Sequence, residues 1–518
     1  MNRVKQYMCL LGLGMLALTT ACSEQDTEIT SIEYARLFSP LDMEARVVNR
    51  TNISLNWKAV QGAVSYDVEL YYGSDDVEVA KPFKSENVEV NSCLIENLLG
   101  STAYLVRVRA VGEETPDSKW ASVSVTTQAE QIFESIEEAD VEANSVTLHW
   151  DGKGNPVTRI VIMPGNVTHE LSASEISDQS ATIAGLTGET SYTANIYYAD
   201  TQRGTIGFET WIDATNATKV NDGDDLKTVL DNASDGADIA FTSSATFELG
   251  SYSLKKSFRL FSVKPTEKAT IIGKFVGSGV VVPSVRFAGV ILNGDGTLNN
   301  LVDINSANSG VETLEFKRSE IRNYTARLAY NNNATAAYGT ILFDNCVIDN
   351  IEAGGDAFDF RTGTLTSLTL SNSTISNGIR SLLRCQIKAM VTVENCTFYA
   401  LCTVDNKDNA GLFRMNVAEG ALSVSKSIFY GIGSEAHISS SNPGQGVWAR
   451  ASNLNATATY SRNYYFNCPN LWAGKYSDDH SAVATELDSK FVDAANGDFT
   501  VQDEDIKYYG VGDPRWIK

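Results

Sequence analysis

Between Leu314 and Ile432 one eleven-residue phrase recurs five times: LEFKRSEIRNY (314–324), ILFDNCVIDNI (341–351), LTLSNSTISNG (368–378), VTVENCTFYAL (391–401) and LSVSKSIFYGI (422–432). Aligned on the third letter, the copies place Phe316, Phe343, Leu370, Val393 and Val424 at steps of 27, 27, 23 and 31 residues. A period averaging 27 is too short for a self-contained domain and too long for a hairpin. It suits one coil of a solenoid that buries its apolar face against its neighbours. Apolar and polar letters alternate within each phrase, which predicts a strand. A small residue then turns a corner at Ser319, Cys346, Ser373, Cys396 and Ser427. Just before it stand Arg318, Asn345, Asn372, Asn395 and Lys426, and asparagines at matching corners can hydrogen-bond from coil to coil.

Upstream, DDLKTVLDNASDGADIAF (224–241) sets Leu226, Val229, Leu230 and Ala233 on one face of a short helix before a strand. A solenoid needs such a cap, because an open end exposes unpaired strand edges and the apolar lumen. Downstream lie FVDAANGDFTV (491–501) and GVGDPRW (510–516). Residues 212–518 together resemble the right-handed parallel β-helix of pectate lyases and related polysaccharide-active proteins, without a diagnostic lyase active-site motif. The resemblance implies a scaffold that engages polysaccharide.

The 518 residues carry 64 Asp and Glu against 41 Lys and Arg, a formal charge of −23 and a pI near 4.6. Nucleic acid is therefore not an expected partner, since a phosphate backbone demands a basic surface. Arg3 and Lys5 precede an apolar run from Met8 to Leu18 with the layout of a signal peptide, residues 1–21. The run ends LTTAC, and small residues before Cys22 resemble a bacterial lipobox. With SEQDTE following, residues 22–37 resemble the lipidated N-terminus and linker of Bacteroides-type surface lipoproteins. That resemblance implies an outer-membrane, cell-surface protein whose only membrane attachment is its lipid. An ordinary signal peptide with a chance cysteine is the alternative.

The remaining cysteines, Cys93, Cys346, Cys385, Cys396, Cys402 and Cys468, lack C-x-x-C spacing and read as small buried residues, implying neither disulfide framework nor metal site. The four histidines, at 149, 169, 437 and 480, have no partner at ligand spacing, which disfavours zinc and Ser-His chemistry. Residues 38–128 place Trp57, Leu98 and Tyr104 where residues 129–211 place Trp150, Leu186 and Tyr192. The offsets are 93 residues at the Trp and 88 at the Tyr, one sandwich domain apart. Both segments resemble fibronectin type III repeats, with a core Trp on an early strand and a Leu six residues before a tyrosine corner. The expected fold is all-β: two fibronectin type III-like sandwiches, then the parallel β-helix at 212–518. The sandwiches are expected to act as spacers.

A second recurrence marks another strand of each coil: DAFDFRTG, RSLLRCQI, GLFRMNV and GVWARAS. With Phe358 and Phe360 inward, Arg361, Arg384, Arg414 and Arg450 are expected to point outward from successive coils, about 4.8 Å apart. Such a file suits the carboxylates of a polyuronate such as pectin, with Trp448 placed to stack on a sugar face. Alternatively these arginines pair with Asp356 and Asp359 and only solvate the sheet. Lyase chemistry would need a base and a charge sink, usually calcium, for which Asp356, Asp359, Asp405 and Asp408 are the candidates; Lys407 also lies in that loop. A hydrolase would need paired carboxylates, with Asp356 and either Asp405 or Asp408 as candidates. The leading expectation is a binding or accessory protein for an acidic polysaccharide in glycan utilisation. A calcium-dependent polysaccharide lyase and an adhesin are the alternatives.

Overall fold

The structure, a computed structural model, describes residues 36–73, 81–96, 98–151, 157–352, 355–403, 411–434, 449–454, 456–469, 471 and 485–518, with the backbone alone at 201, 449–454 and 485–486. No described helix is long and apolar enough to cross a membrane. The chain divides into two units, one ending at Glu130 and one running from Gln131 to Lys518.

The first unit is a β-sandwich. Strands Glu44–Val48, Asn52–Asn56 and Ser92–Ile95 form one sheet, and Lys84–Val88, Ala63–Tyr72, Ala103–Gly112 and Ala121–Thr126 the other. Alternation along Ala63–Tyr72 sends Tyr66, Val68 and Leu70 into the core, as a half-buried strand requires. Trp57 packs edge-on against Tyr66. Tyr104 is fully buried, and its hydroxyl accepts the Leu99 N–H at 3.0 Å. Leu37, in the segment expected to be linker, belongs to this core.

The second unit begins with another sandwich, in which Ser145–His149 pairs Ser180–Ala184 and a four-stranded sheet covers them. Trp150 is buried at its centre, and the Tyr192 hydroxyl accepts the Thr187 N–H at 3.0 Å, five residues back as in the first sandwich. His149 projects away from the core toward Asp140.

A parallel β-solenoid follows. One coil consists of Gly310–Lys317 on a first face, Glu320–Arg322 on a second and Arg327–Asn331 on a third. Ile239, Leu260, Phe287, Phe316, Phe343, Leu370, Val393, Val424 and Tyr460 are register partners on the first face, so the apolar third letter of the five-phrase repeat continues by three strands on its N-terminal side and one on its C-terminal side. Phe316 and Phe343 stack with ring centroids 4.3 Å apart. The helix Leu226–Asn232 caps the N-terminal end with Leu226 and Leu230 buried.

The corners depend on left-handed backbone. Arg318, Asn345, Asn372, Asn395 and Lys426 all have φ between 46° and 53°, a region asparagine tolerates better than most residues. Asn395 donates to Asn372 at 3.3 Å and Asn372 to Asp344 at 2.8 Å. The small residues that follow are buried and link coils: Ser373 accepts the Cys346 N–H at 2.9 Å, and Ser427 the Cys396 N–H at 3.2 Å. Burial pushes the Cys346 thiol up to about 12, which makes it an inert packing group.

Position nine of the phrase faces outward on the second face and forms the register file Asn293, Arg322, Asp349, Ser376, Tyr399, Tyr430, Phe466. The aromatic half of this file is covered by the C-terminal segment, where Phe499 meets Tyr399 and Phe491 meets Tyr430. From there GVGDPRW runs across the coils as a clasp. Gly512 N–H donates to Lys426 O, Asp513 N–H to Thr397 Oγ1, Thr374 Oγ1 to Asp513 Oδ2 and Arg515 Nη2 to Asn345 O. Four coils are thereby stapled by a strand of contacts perpendicular to their own. Burial among these groups raises the pKa of Asp513. Gly512 has φ 100°, and a Cβ there would lie 2.7 Å from Ile428 Cδ1 and 3.0 Å from Thr397 Oγ1. Gly512→Ala is therefore expected to destabilise the solenoid by about 1–3 kcal/mol, read as a lower urea midpoint; an unchanged midpoint would show that the clasp contributes nothing.

Candidate functional site

On the third face the strands Arg327–Asn331, Asp356–Phe360, Ser381–Cys385 and Gly411–Met415 stack in register. Ala329, Phe358, Leu383 and Phe413 pair across this stack, and all belong to the solenoid core. The alternate residues Tyr330, Asp359, Arg384 and Arg414 form one file. Asp359, and not Arg361, is thus the partner of Arg384. Arg361 lies two residues further on, beyond the end of its strand. A shift of two keeps a side chain on the same face of a strand but moves it along the strand, so the expected four-arginine file is corrected at this member. Arg450 follows Ala449, the partner of Phe413, at a point where the register shifts, and only its backbone is described. Trp448, Asp405, Asp408 and Cys22 lie outside the described residues.

Arginines and aspartates from neighbouring coils meet in one cluster. Asp359, with no exposed side-chain surface, takes Arg361 Nη2 at 2.7 Å and Arg361 Nε at 3.0 Å on separate oxygens, and Arg327 Nε at 3.1 Å. That pairing raises the pKa of the Arg361 guanidinium. Asp356, equally buried, accepts from Arg380 Nη2 at 2.8 Å on Oδ1. Arg384 sits between the two carboxylates, 3.9 Å from each, and Arg414 lies 4.0 Å from Asp356. Arg327 also stacks on Tyr330, its guanidinium 4.5 Å from the ring centre.

Among the described residues, Arg327, Arg361, Arg380 and Arg384, always protonated, meet the two carboxylates of Asp356 and Asp359, so guanidiniums outnumber carboxylates there. Hydrogen-bonding capacity is left over as well: Asp356 Oδ2 and the Nε groups of Arg380 and Arg384 are buried without a hydrogen-bond partner. Solvent reaches the guanidiniums, with side-chain exposures of 17% for Arg380, 20% for Arg384 and 27% for Arg361, and does not reach the carboxylates. The arrangement turns guanidinium donors toward solvent and holds them in place with buried counter-charges, a geometry able to accept an anion.

It does not fit calcium. Both carboxylates are already engaged by guanidiniums, and a divalent cation among five arginines meets repulsion. No cluster of three or more His, Cys, Asp or Glu able to hold a metal occurs among the described residues. The same burial leaves neither Asp356 nor Asp359 presenting an oxygen to a substrate, as a lyase base would, or as Asp356 would in a glycosidase pair with Asp405 or Asp408.

Arg380, Arg327 and Tyr330 were not among the residues expected from sequence. Arg380 ends the phrase-plus-two segment SNGIR just before its strand, so aligning the strands on their terminal arginine passed over it.

A family model described as fibronectin type III domain matches residues 38–125. Two models described as domains of unknown function, DUF4957 and DUF5123, match residues 240–378 and 391–516. Among solved structures, a two-domain fibronectin type III segment of chicken tenascin is 20% identical, covers 33% of this chain and 97% of its own, and superposes with a TM-score of 0.21. FN3tt is 23% identical over 18% of this chain and 95% of its own, with a TM-score of 0.15. No curated protein matches the chain.

Proposed function

We propose that this protein binds an acidic polysaccharide of the polyuronate type through the arginine cluster on the third face of a pectate-lyase-like solenoid, and that it does so at the cell surface as a lipid-anchored binding or accessory protein of glycan utilisation. The observation that carries the reading is the excess of guanidinium over carboxylate among the described residues of this cluster, on a chain of net charge −23. Positive charge concentrated there against the overall sign is poorly explained by solubility and well explained by a carboxylate ligand. Coil spacing near 4.8 Å presents donors at intervals close to those of successive uronates in an extended chain. The test is calorimetric titration with de-esterified polygalacturonate at low and high ionic strength. Binding that weakens with salt is expected, and no binding at low salt overturns the proposal.

Anchoring rests on the lipobox-like LTTAC and the acidic SEQDTE after it. Cys22→Ala is expected to move the protein from the membrane fraction to the soluble fraction while leaving its melting temperature unchanged. Fractionation identical to wild type would remove the lipid anchor from the proposal.

A further inference from the structure

The second face carries a cleft that the arginine cluster does not use. Its volume is about 740 Å³, within the range of ligand pockets. The floor is the polar half of the position-nine file, Arg322, Asp349 and Ser376, with Asn377 beside it. One wall is Glu137 and Glu138 of the second sandwich; the other is Trp516 of the C-terminal clasp. All three parts belong to the same unit of the chain.

We infer that this cleft is a binding site for an uncharged glycan chain, separate from the anion receptor and not dependent on it. Three of the four lining carboxylates are matched by cations: Lys268 lies 3.1 Å from Glu138 and 3.5 Å from Glu320, Arg322 lies 3.8 Å from Glu320, and Lys518 pairs with Glu137 at 3.0 Å. Four carboxylates line it against three cations, Lys268, Arg322 and Arg515, so it offers a polyanion no net positive charge. A peptide strand is disfavoured for a different reason. The floor strands Glu320–Arg322, Val347–Ile351 and Thr374–Gly378 are interior members of their sheet, paired on both sides, and offer no edge to extend.

What remains is a set of fixed hydrogen-bonding groups beside an aromatic face, which suits sugar hydroxyls. Asp349 Oδ1 accepts from Ser376 at 2.7 Å and Asn377 at 2.8 Å, which holds the carboxylate and leaves its Oδ2 to a ligand. Trp516 donates through Nε1 to Thr374 Oγ1 at 2.7 Å, so the indole is locked in orientation. Arg322, Asp349 and Ser376 occupy successive coils, and a row of donors and acceptors at that rise matches consecutive rings of an extended chain.

The file itself supplies the blocking variant. At the next coil the same position is Tyr399, packed against Phe499; Ser376 is 3% exposed at the cleft floor, so Ser376→Tyr fills the cleft and also removes the hydrogen bond to Asp349. The full chain is titrated calorimetrically with cellohexaose, xylohexaose, β-1,4-mannohexaose and β-1,4-galactohexaose, with polygalacturonate as the contrasting ligand. At least one neutral hexasaccharide is expected to bind, Ser376→Tyr to weaken it roughly ten-fold or more, and Arg384→Ala to leave it unchanged. Arg322→Ala, whose ion pair to Glu320 is long and exposed, is the second variant and is expected to weaken binding several-fold even if the tyrosine variant misfolds. Polygalacturonate binding is expected to survive Ser376→Tyr, so failure of one site is distinguishable from failure of the other. The inference is overturned if none of the four binds, if both cleft variants bind as wild type, or if Arg384→Ala abolishes neutral binding too.

Discussion

Arg384→Ala is expected to lower affinity for de-esterified polygalacturonate roughly ten-fold to a hundred-fold at low salt, with little change in melting temperature. Charge-assisted hydrogen bonds contribute about 1.5–3 kcal/mol each, and ten-fold in affinity corresponds to about 1.4 kcal/mol. Arg384 is the residue to change because its position separates binding from folding. It stands 3.9 Å from both Asp356 and Asp359, and its Nη2 donates to Gln386 Oε1 at 3.3 Å. Removing it leaves each carboxylate with a closer guanidinium still in place.

Arg380 behaves differently. Its Nη2 supplies the 2.8 Å hydrogen bond to Asp356 Oδ1, and losing one partner of a buried pair costs about 3–5 kcal/mol because the other charge is stranded. Lost binding in Arg380→Ala would therefore report misfolding as readily as lost recognition. The decisive comparison is Arg384→Ala on polygalacturonate against a neutral chain of equal length, since a neutral chain has no carboxylate to lose. Equal affinity of wild type and Arg384→Ala for polygalacturonate at low salt sinks the assignment of the third face as the receptor.

The solenoid was legible because inward residues repeat with their neighbours: Phe316, Phe343, Leu370, Val393 and Val424 are the aligned third letters and also the register partners. Burial on a strand leaves a period-two trace in the sequence. The arginine cluster was only half legible for the same reason. Alternation told which arginines face outward, but a two-residue slip preserves the face, so Arg361 was set opposite Arg384 in place of Asp359. The in-phase marker was present in the inward set Phe358, Leu383 and Phe413. The cleft left a trace of its own, since position ten of the phrase, Asn323, Asn350 and Asn377, adopts φ of 53–60°. This second asparagine corner sets position nine on the outer surface. The contacts made by GVGDPRW were not legible. Its partners are 139 and 170 residues away in sequence, and only the finished stack brings them to one line.

Trp211→Ala is expected to produce the largest loss of stability, about 3–5 kcal/mol, and to split the unfolding of residues 131–518 into two transitions. Trp211 stands at the end of the second sandwich, yet it packs in one buried cluster with Ala240, Phe261 and Ala288 of the solenoid. Its Nε1 donates to the Ser262 carbonyl at 2.8 Å, and the Arg318 guanidinium lies 5.3 Å from its ring centre. Gly289 makes room for it: with φ 56°, a Cβ there would sit 2.8 Å from the indole. Charges reinforce the junction, with Arg259 bridging Asp238 and Glu189, and Lys268 reaching Glu138. A sandwich attached in this way is part of the solenoid's wall and more than a spacer, which bears on where the chain can be cut. A fragment beginning at Thr215 loses Trp211 and bares Phe261, so it should melt lower than one beginning at Gln131. Because Glu137 and Glu138 wall the neutral cleft, Trp211→Ala should also weaken neutral-glycan binding while sparing polygalacturonate at the third face. A single transition at the wild-type denaturant midpoint in Trp211→Ala would show that the junction is not packed as described.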